Sequence, residues 1–209
     1  MRILSALCVS AALLAAADLP RITYSKSFPG SLPAYVEITV AKDGSSTYRE
    51  ADDDDNPLRL QLTETEAAEI FALAEKLGWF SQPLESKLKV AFMGTKTFRF
   101  EDGARKQQVS FNFSQVPEAQ QLADWFERVA ETESRFITLE RTAKYDRLGV
   151  NQALLQLQIS QEHDRLVAAP QFLPLLDRIA KDQRYMNMAR ERAASLAELL
   201  RNPKPAGSQ

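Results

Sequence analysis

The chain has 209 residues, with 26 basic and 28 acidic side chains, one cysteine and one histidine. A net charge of −2 offers no basic surface for nucleic-acid phosphates, and a lone cysteine cannot build a disulfide framework. The same two counts exclude a zinc site of the usual His/Cys type, which takes several such ligands.

The first 17 residues, MRILSALCVSAALLAAA, carry Arg2, an apolar run over residues 3–14, then Ala15, Ala16 and Ala17 ahead of Asp18. This is the layout of a secretory signal peptide cleaved after Ala17, and the run is too short for a spanning helix of ~20 residues. Cys8 lies inside the run behind Leu7, not at a small-residue cleavage site, so it is no lipid-attachment cysteine. The mature chain enters an oxidising compartment without a cysteine, and its stability rests on a packed core. No later stretch is apolar for long enough to span a membrane.

The segment DLPRITYS puts Ile22 and Tyr24 on one face of an extended stretch. In PAYVEITVAKDGSSTYREA, Val36, Ile38 and Val40 alternate with Glu37 and Thr39, the period of a half-buried strand. Asp43-Gly44 turns the chain and residues 47–50 return as a second strand. In LTETEAAEIFALAEKLGWF, Thr63 and Glu66 form a capping box, while Ala67, Ile70, Phe71, Ala74 and Leu77 share one helical face that Gly78 ends.

Hairpin and helix then recur. Phe98 and Phe100 share a face, Asp102-Gly103 turns, and Val109, Phe111 and Phe113 return. Pro117 opens a second helix striped by Ala119, Leu122, Ala123, Phe126, Val129 and Ala130, and the recurrence reads as a degenerate internal repeat. Over residues 18–133 these elements predict an α+β two-layer sandwich, an antiparallel sheet of four to five strands with two helices on one face. Residues 134–202 lose the strand signals and predict a helical C-terminal region. Its last helix is expected to start within residues 170–174 and to align Leu175, Ile179, Met186, Ala189, Ala193, Leu196 and Leu200, with Asp182 alone breaking the stripe. Residues 203–209, PKPAGSQ, read as a disordered tail.

Little in this pattern looks like chemistry. The run ADDDDNPL, residues 51–58, is either a calcium site or a solvated loop. Calcium takes six to eight converging oxygens, usually from alternating positions, whereas consecutive side chains of an extended segment point to opposite sides. The spacing favours the loop, and Asp53 and Asp54 are the candidate ligands if a metal binds. His163, within SQEHDR, has no nucleophile-elbow motif to serve and reads as a surface residue. Nothing singles out a catalytic carboxylate pair. Trp79 either closes the core beyond Gly78 or forms a ligand-binding ledge near Met93 and Lys96.

An extended ITYS, a PAY that opens a hairpin with Asp43-Gly44 and Tyr48, a helix ending in Trp79-Phe80 and a second hairpin follow one another. Over residues 20–132 this order resembles a family of small secreted bacterial domains of unknown function. The resemblance implies the sandwich fold and the exported compartment, and it brings no catalytic residue and no cofactor.

The expected protein is therefore secreted or periplasmic, cofactor-free, and a non-catalytic interaction or binding module of the cell envelope. The alternative is a carboxylate enzyme assisted by a divalent metal at Asp53 and Asp54. For the module, Leu175, Ile179, Met186 and Leu196 on the C-terminal helices are the candidate surface for a protein partner or self-association, with packing inside the chain as their competing role. Trp79 is a further candidate contact.

Overall fold

The computed structural model describes residues 19–103 and 105–202; the expected signal peptide and C-terminal tail lie outside them. The fold is α+β. Six strands, β1 (Arg21–Ser27), β2 (Tyr35–Ala41), β3 (Ser45–Arg49), β4 (Leu58–Gln61), β5 (Thr95–Asp102) and β6 (Arg105–Phe111), form one antiparallel sheet in the order β4-β3-β2-β1-β5-β6. Five α-helices accompany it: α1 (Glu64–Lys76), α2 (Pro117–Tyr145), α3 (Val150–Glu162), α4 (Leu173–Lys181) and α5 (Asn187–Arg201). None of the described helices is long and apolar enough to cross a membrane.

The sheet has one strand more than the alternation predicts at most. The addition is β4, only four residues long and carrying a single buried side chain, Leu60. Leu58-Arg59-Leu60-Gln61 does alternate apolar and polar residues, but four positions beside the aspartate run are too few to mark a strand alone, and pairing with β3 recruits them.

Register places the apolar side chains of all six strands in rows. One row reads Leu58, Tyr48, Ile38, Tyr24, Phe98, Val109; the next reads Leu60, Ser46, Val40, Ile22, Phe100, Gln107. Onto this face α1 lays Ile70, Phe71 and Ala74, with Leu77 at its C-cap, and α2 lays Ala119, Leu122, Phe126 and Val129, forming one core. The opposite face carries polar rows, such as Arg59, Thr47, Thr39, Thr23, Arg99 and Gln108.

Thr63 caps α1 and Glu66 closes the capping box, as the sequence signals. Beyond the helix, Gly78, Trp79 and Phe80 all adopt positive φ, at 59°, 56° and 69°. Two bulky residues in the left-handed region cost about 1–2 kcal/mol each. The turn they make drives Phe80 onto Phe98 at 5.2 Å and Trp79 onto Phe100 at 4.4 Å, and this aromatic burial offsets the strain.

The expected domain boundary near residue 133 falls in the middle of α2. Beyond it, Leu139 and Ala143 of α2 join α3, α4 and α5 in a second core around Leu154, Leu157, Phe172 and Leu176. The single last helix expected over the C-terminal stripe is two helices. Asp182 stops α4 because its carboxylate accepts the Arg184 backbone N–H at 3.0 Å and grips the Arg184 guanidinium at 2.6 Å, so the side chain competes with helical pairing.

Two consequences can be tested on the folded chain. Gly44 turns β2 into β3 at φ +82°, and a Cβ there would stand 2.5 Å from the Leu62 carbonyl oxygen, whereas Gly103 at φ +55° has open space around it. Gly44→Ala should therefore lose ~2 kcal/mol or more in urea denaturation, and Gly103→Ala only ~1 kcal/mol. Equal losses would show that backbone conformation alone decides both sites.

Glu133 is buried on α2, and burial raises its carboxyl above the usual glutamate range despite a hydrogen bond donated by Gln171 at 2.8 Å. A raised folded-state value means that the protonated group's contribution is complete below the unfolded value of ~4.3 and is lost as pH rises through the folded value. Glu133→Gln should thus stabilise the protein near neutrality, with the gain vanishing toward about pH 4. Urea melts across that range check it.

Candidate functional site

One end of the sheet gathers three loops. Residues 28–34 join β1 to β2, residues 50–57 join β3 to β4, and residues 81–94 lead into β5. Because β1 lies beside both β2 and β5, these loops stand over neighbouring strand pairs, with 28–34 in the middle.

The third row of the inner face lies at this end and is not apolar. It reads Val36, Lys26, Lys96, Phe111. Lys96 is buried, donates to the Asn112 carbonyl oxygen at 3.1 Å, and is held below the usual lysine range first by burial and then by the Lys26 charge. Lys26 donates to the Glu127 carboxylate of α2 at 3.3 Å. Tyr24 stacks on Phe126 at 4.9 Å with nearly parallel rings, and its buried hydroxyl has no hydrogen-bond partner among the described residues. Burial, seconded by Glu127, pushes the Tyr24 phenol far above the ordinary tyrosine range. Tyr24, Lys26, Phe28, Val36, Glu127 and Ala130 line a cleft of about 210 Å³ whose rim carries Leu32. The phenol stays protonated and the ammonium and carboxylate are paired, an arrangement that can hold a group but supplies no nucleophile activated by a base.

The loops around the cleft display apolar side chains outward. Leu32 is 100% exposed, and Leu88, Phe92 and Met93 are each more than half exposed. With Leu58 and Val90, this end holds six of the twelve large apolar side chains exposed among the described residues, a concentration unlike the single exposed residues of an ordinary surface.

Segment 81–94 is held in place although it has no regular structure. Asn112 accepts the Met93 N–H at 2.7 Å, donates to the Ala91 carbonyl at 3.1 Å, and gives its backbone N–H to Glu85 at 2.6 Å. Ser86 N–H donates to the Phe113 carbonyl at 2.7 Å. Gly94, at φ +95°, lies where a Cβ would meet Phe28 at 2.9 Å, and Phe92 packs edge-on against Phe28 at 5.9 Å. Loops of this length without regular structure are usually functional, and this one is pinned in the conformation that exposes its apolar residues.

Charge divides the same end. Lys87 and Lys89 are exposed on segment 81–94, and Asp52, Asp53 and Asp55 are exposed on loop 50–57. Arg49 anchors the acidic loop by donating to the Asp52 carbonyl at 2.9 Å. Arg49 also pairs with Glu37 at 2.7 Å, and Glu37 in turn accepts from the Tyr35 hydroxyl at 2.8 Å. Burial and Glu37 push the Tyr35 phenol up to about 12.

No family model matches this chain, and no curated protein does so significantly. The site therefore rests on its own geometry.

Of the sequence-derived candidates, Asp53 and Asp54 lie at this end on loop 50–57 but form no ligand set, and the others fall elsewhere. Asp54 accepts the Asn56 backbone N–H at 2.9 Å, a local turn, while Asp53 points to solvent. Among the described residues no three His, Cys, Asp or Glu side chains converge as a metal site requires. Leu175, Ile179 and Leu196 are buried in the helical core, whereas Met186, at the turn before α5, is 45% exposed. Trp79 is half-buried at the far end of β5 from Lys96, with the Arg105 guanidinium 5.8 Å above its ring. Wider grooves, such as that of about 560 Å³ between α1 and α2, are lined largely by exposed polar side chains and hold no unpartnered buried polar atom.

The apolar residues of the strand-end surface in KLKVAFMG, residues 87–94, lie just before β5 and match no helix or motif pattern in the sequence. The signal there is short: Lys87 and Lys89 alternate with Leu88 and Val90.

The Tyr24 hydroxyl gives a direct test. Burying an unpaired hydroxyl disfavours folding, so Tyr24→Phe should leave stability unchanged or raise it by up to about 1 kcal/mol in urea melts. A clear loss would mean that the hydroxyl has a partner in solution.

Proposed function

We propose that this chain is a non-catalytic binding module of the cell envelope, secreted or periplasmic after removal of residues 1–17, which binds its partner through the strand-end loops. The observation that carries the reading is segment 81–94, held by Asn112 and Gly94 so that Leu88, Phe92 and Met93 face outward. Exposed apolar side chains on a restrained backbone lose little entropy on association, which is how a preorganised binding surface gains affinity. The stripe of the C-terminal helices is occupied by packing inside the chain, which supports placing recognition at the loops.

Leu88→Ser combined with Phe92→Ser tests this. Both positions are surface sites, so the melting transition should move little, within roughly 0.5 kcal/mol of stability. The double variant should lose the envelope partner that the parent chain retains on a column, while Met186→Ser with Met188→Ser should keep it. Retention by the loop variant, or loss by the methionine variant, would overturn the reading.

A further inference from the structure

We infer that the partner seated on the strand-end surface is a second copy of this chain, related by a twofold axis through loop 28–34. The inference rests on the strand-end surface being the binding surface, and it adds the identity of what binds.

Its basis is the order of the loops. The acidic loop 50–57 stands over the β3–β4 pair, the uncharged loop 28–34 over β2–β1, and the lysine-bearing segment 81–94 leads into the β5–β6 side. At ~4.8 Å per strand, the outer two lie about 19 Å apart, more than two Debye lengths of ~8 Å at physiological salt. Within one molecule, Lys87 and Lys89 therefore do not neutralise Asp53 and Asp55. These four side chains are exposed and make no hydrogen bond or ion pair with the described residues.

A twofold axis through the middle loop exchanges the outer two. It sets the acidic loop of each copy against the lysine loop of the other, in two equivalent places, with the apolar side chains between them. This is the self-complementarity that an isologous interface requires. An anionic lipid surface would attract Lys87 and Lys89 but repel the aspartate run on the same end, and a partner of one charge sign meets the same conflict.

The middle loop supplies the contact near the axis. Leu32 is fully exposed at the rim of the cleft lined by Phe28, Val36 and Ala130, and near a twofold axis the Leu32 of each copy reaches the cleft of the other. At about 210 Å³ the cleft exceeds the ~150 Å³ of an engineered cavity that takes up benzene, so an isobutyl group fits.

Sedimentation of the purified chain from micromolar to several hundred micromolar tests the inference. The parent chain should show a concentration-dependent dimer. Lys87→Glu with Lys89→Glu, and separately Asp53→Lys with Asp55→Lys, should each weaken self-association by roughly a hundredfold, because like charges then face one another twice. Mixing the two variants in equal amounts should restore dimers, since both contacts are again between opposite charges. Leu32→Asp should prevent association alone and in the mixture, with an unchanged melting transition showing that each variant is folded.

A parent chain that stays monomeric, a mixture that does not recover, or a dimer indifferent to Leu32→Asp overturns the inference. So does lysine-dependent binding of a monomer to phosphatidylglycerol vesicles. If the chain is monomeric yet its envelope partner still depends on Leu88 and Phe92, the second copy is refuted while the binding-module reading stands.

Discussion

Helix α2 belongs to two cores at once, and the architecture is arranged around that sharing. Its early turns put Phe126 beneath the central strand, and its late turns put Leu139 among the C-terminal helices. Where it passes from one core to the other it buries Thr132 and Glu133, polar groups that need partners. Each has a partner from the chain beyond α3: the Thr132 hydroxyl, which donates to the Arg128 carbonyl within α2, accepts the Val167 N–H at 3.2 Å, and Gln171 donates to Glu133. Between them, Ala168 N–H donates to Glu66 at 3.0 Å, on the same carboxylate that closes the cap of α1. The start of α1, the middle of α2 and the approach to α4 are thus joined by a few polar contacts. Val167 and Ala168 themselves enter the sheet core. Separating the helical region would strand buried donors and acceptors, so the two cores are tied as one unit.

What was legible in the sequence follows from how local its cause is. The alternation of Val36, Ile38 and Val40, the Thr63–Glu66 box and the stripe through Phe126 are settled within a few residues, and each forms the element its pattern predicts. Strand β4 alternates Leu58, Arg59, Leu60 and Gln61, but so short a run is settled as a strand only by pairing with β3. The break between α4 and α5 depends on one Asp182 side chain turning back to Arg184, which a stripe of apolar positions cannot record. The candidate contacts on the C-terminal helices show the same limit. A stripe identifies a face that must be covered, and only the tertiary structure shows that Leu175, Ile179 and Leu196 are covered from within.

The strand-end surface was the least legible part because exposure is a tertiary property. Leu88 and Phe92 are apolar like the strand residues that follow them; Ser86 holds the Leu88 N–H, and the backbone on either side of Phe92 is held by Asn112, which lies beyond two strands in sequence but beside it in space. Beneath the loops the core is stiff: Tyr24, Phe98, Phe126, Phe80 and Phe111 make an interlocked aromatic layer. Such a layer fixes where β1 and β5 end, and therefore where the loops begin.

Topology explains why the surface can exist at all. In an antiparallel sheet with β1 at its centre, the β1–β2 and β3–β4 connections, the entry to β5 and the exit from β6 all fall at one end. Folding asks only that these segments close their chain paths, which Gly, Asn and Ser accomplish at low cost. Leu32, Leu88, Phe92 and Met93 contribute nothing to the core by standing in water, and polar residues would close the same loops as well. Folding does not account for their exposure, and the proposed binding role rests on that. The same topology separates the charges: the acidic loop 50–57 stands over β3–β4 and the lysine-bearing segment 81–94 leads into β5, with the uncharged loop 28–34 between them.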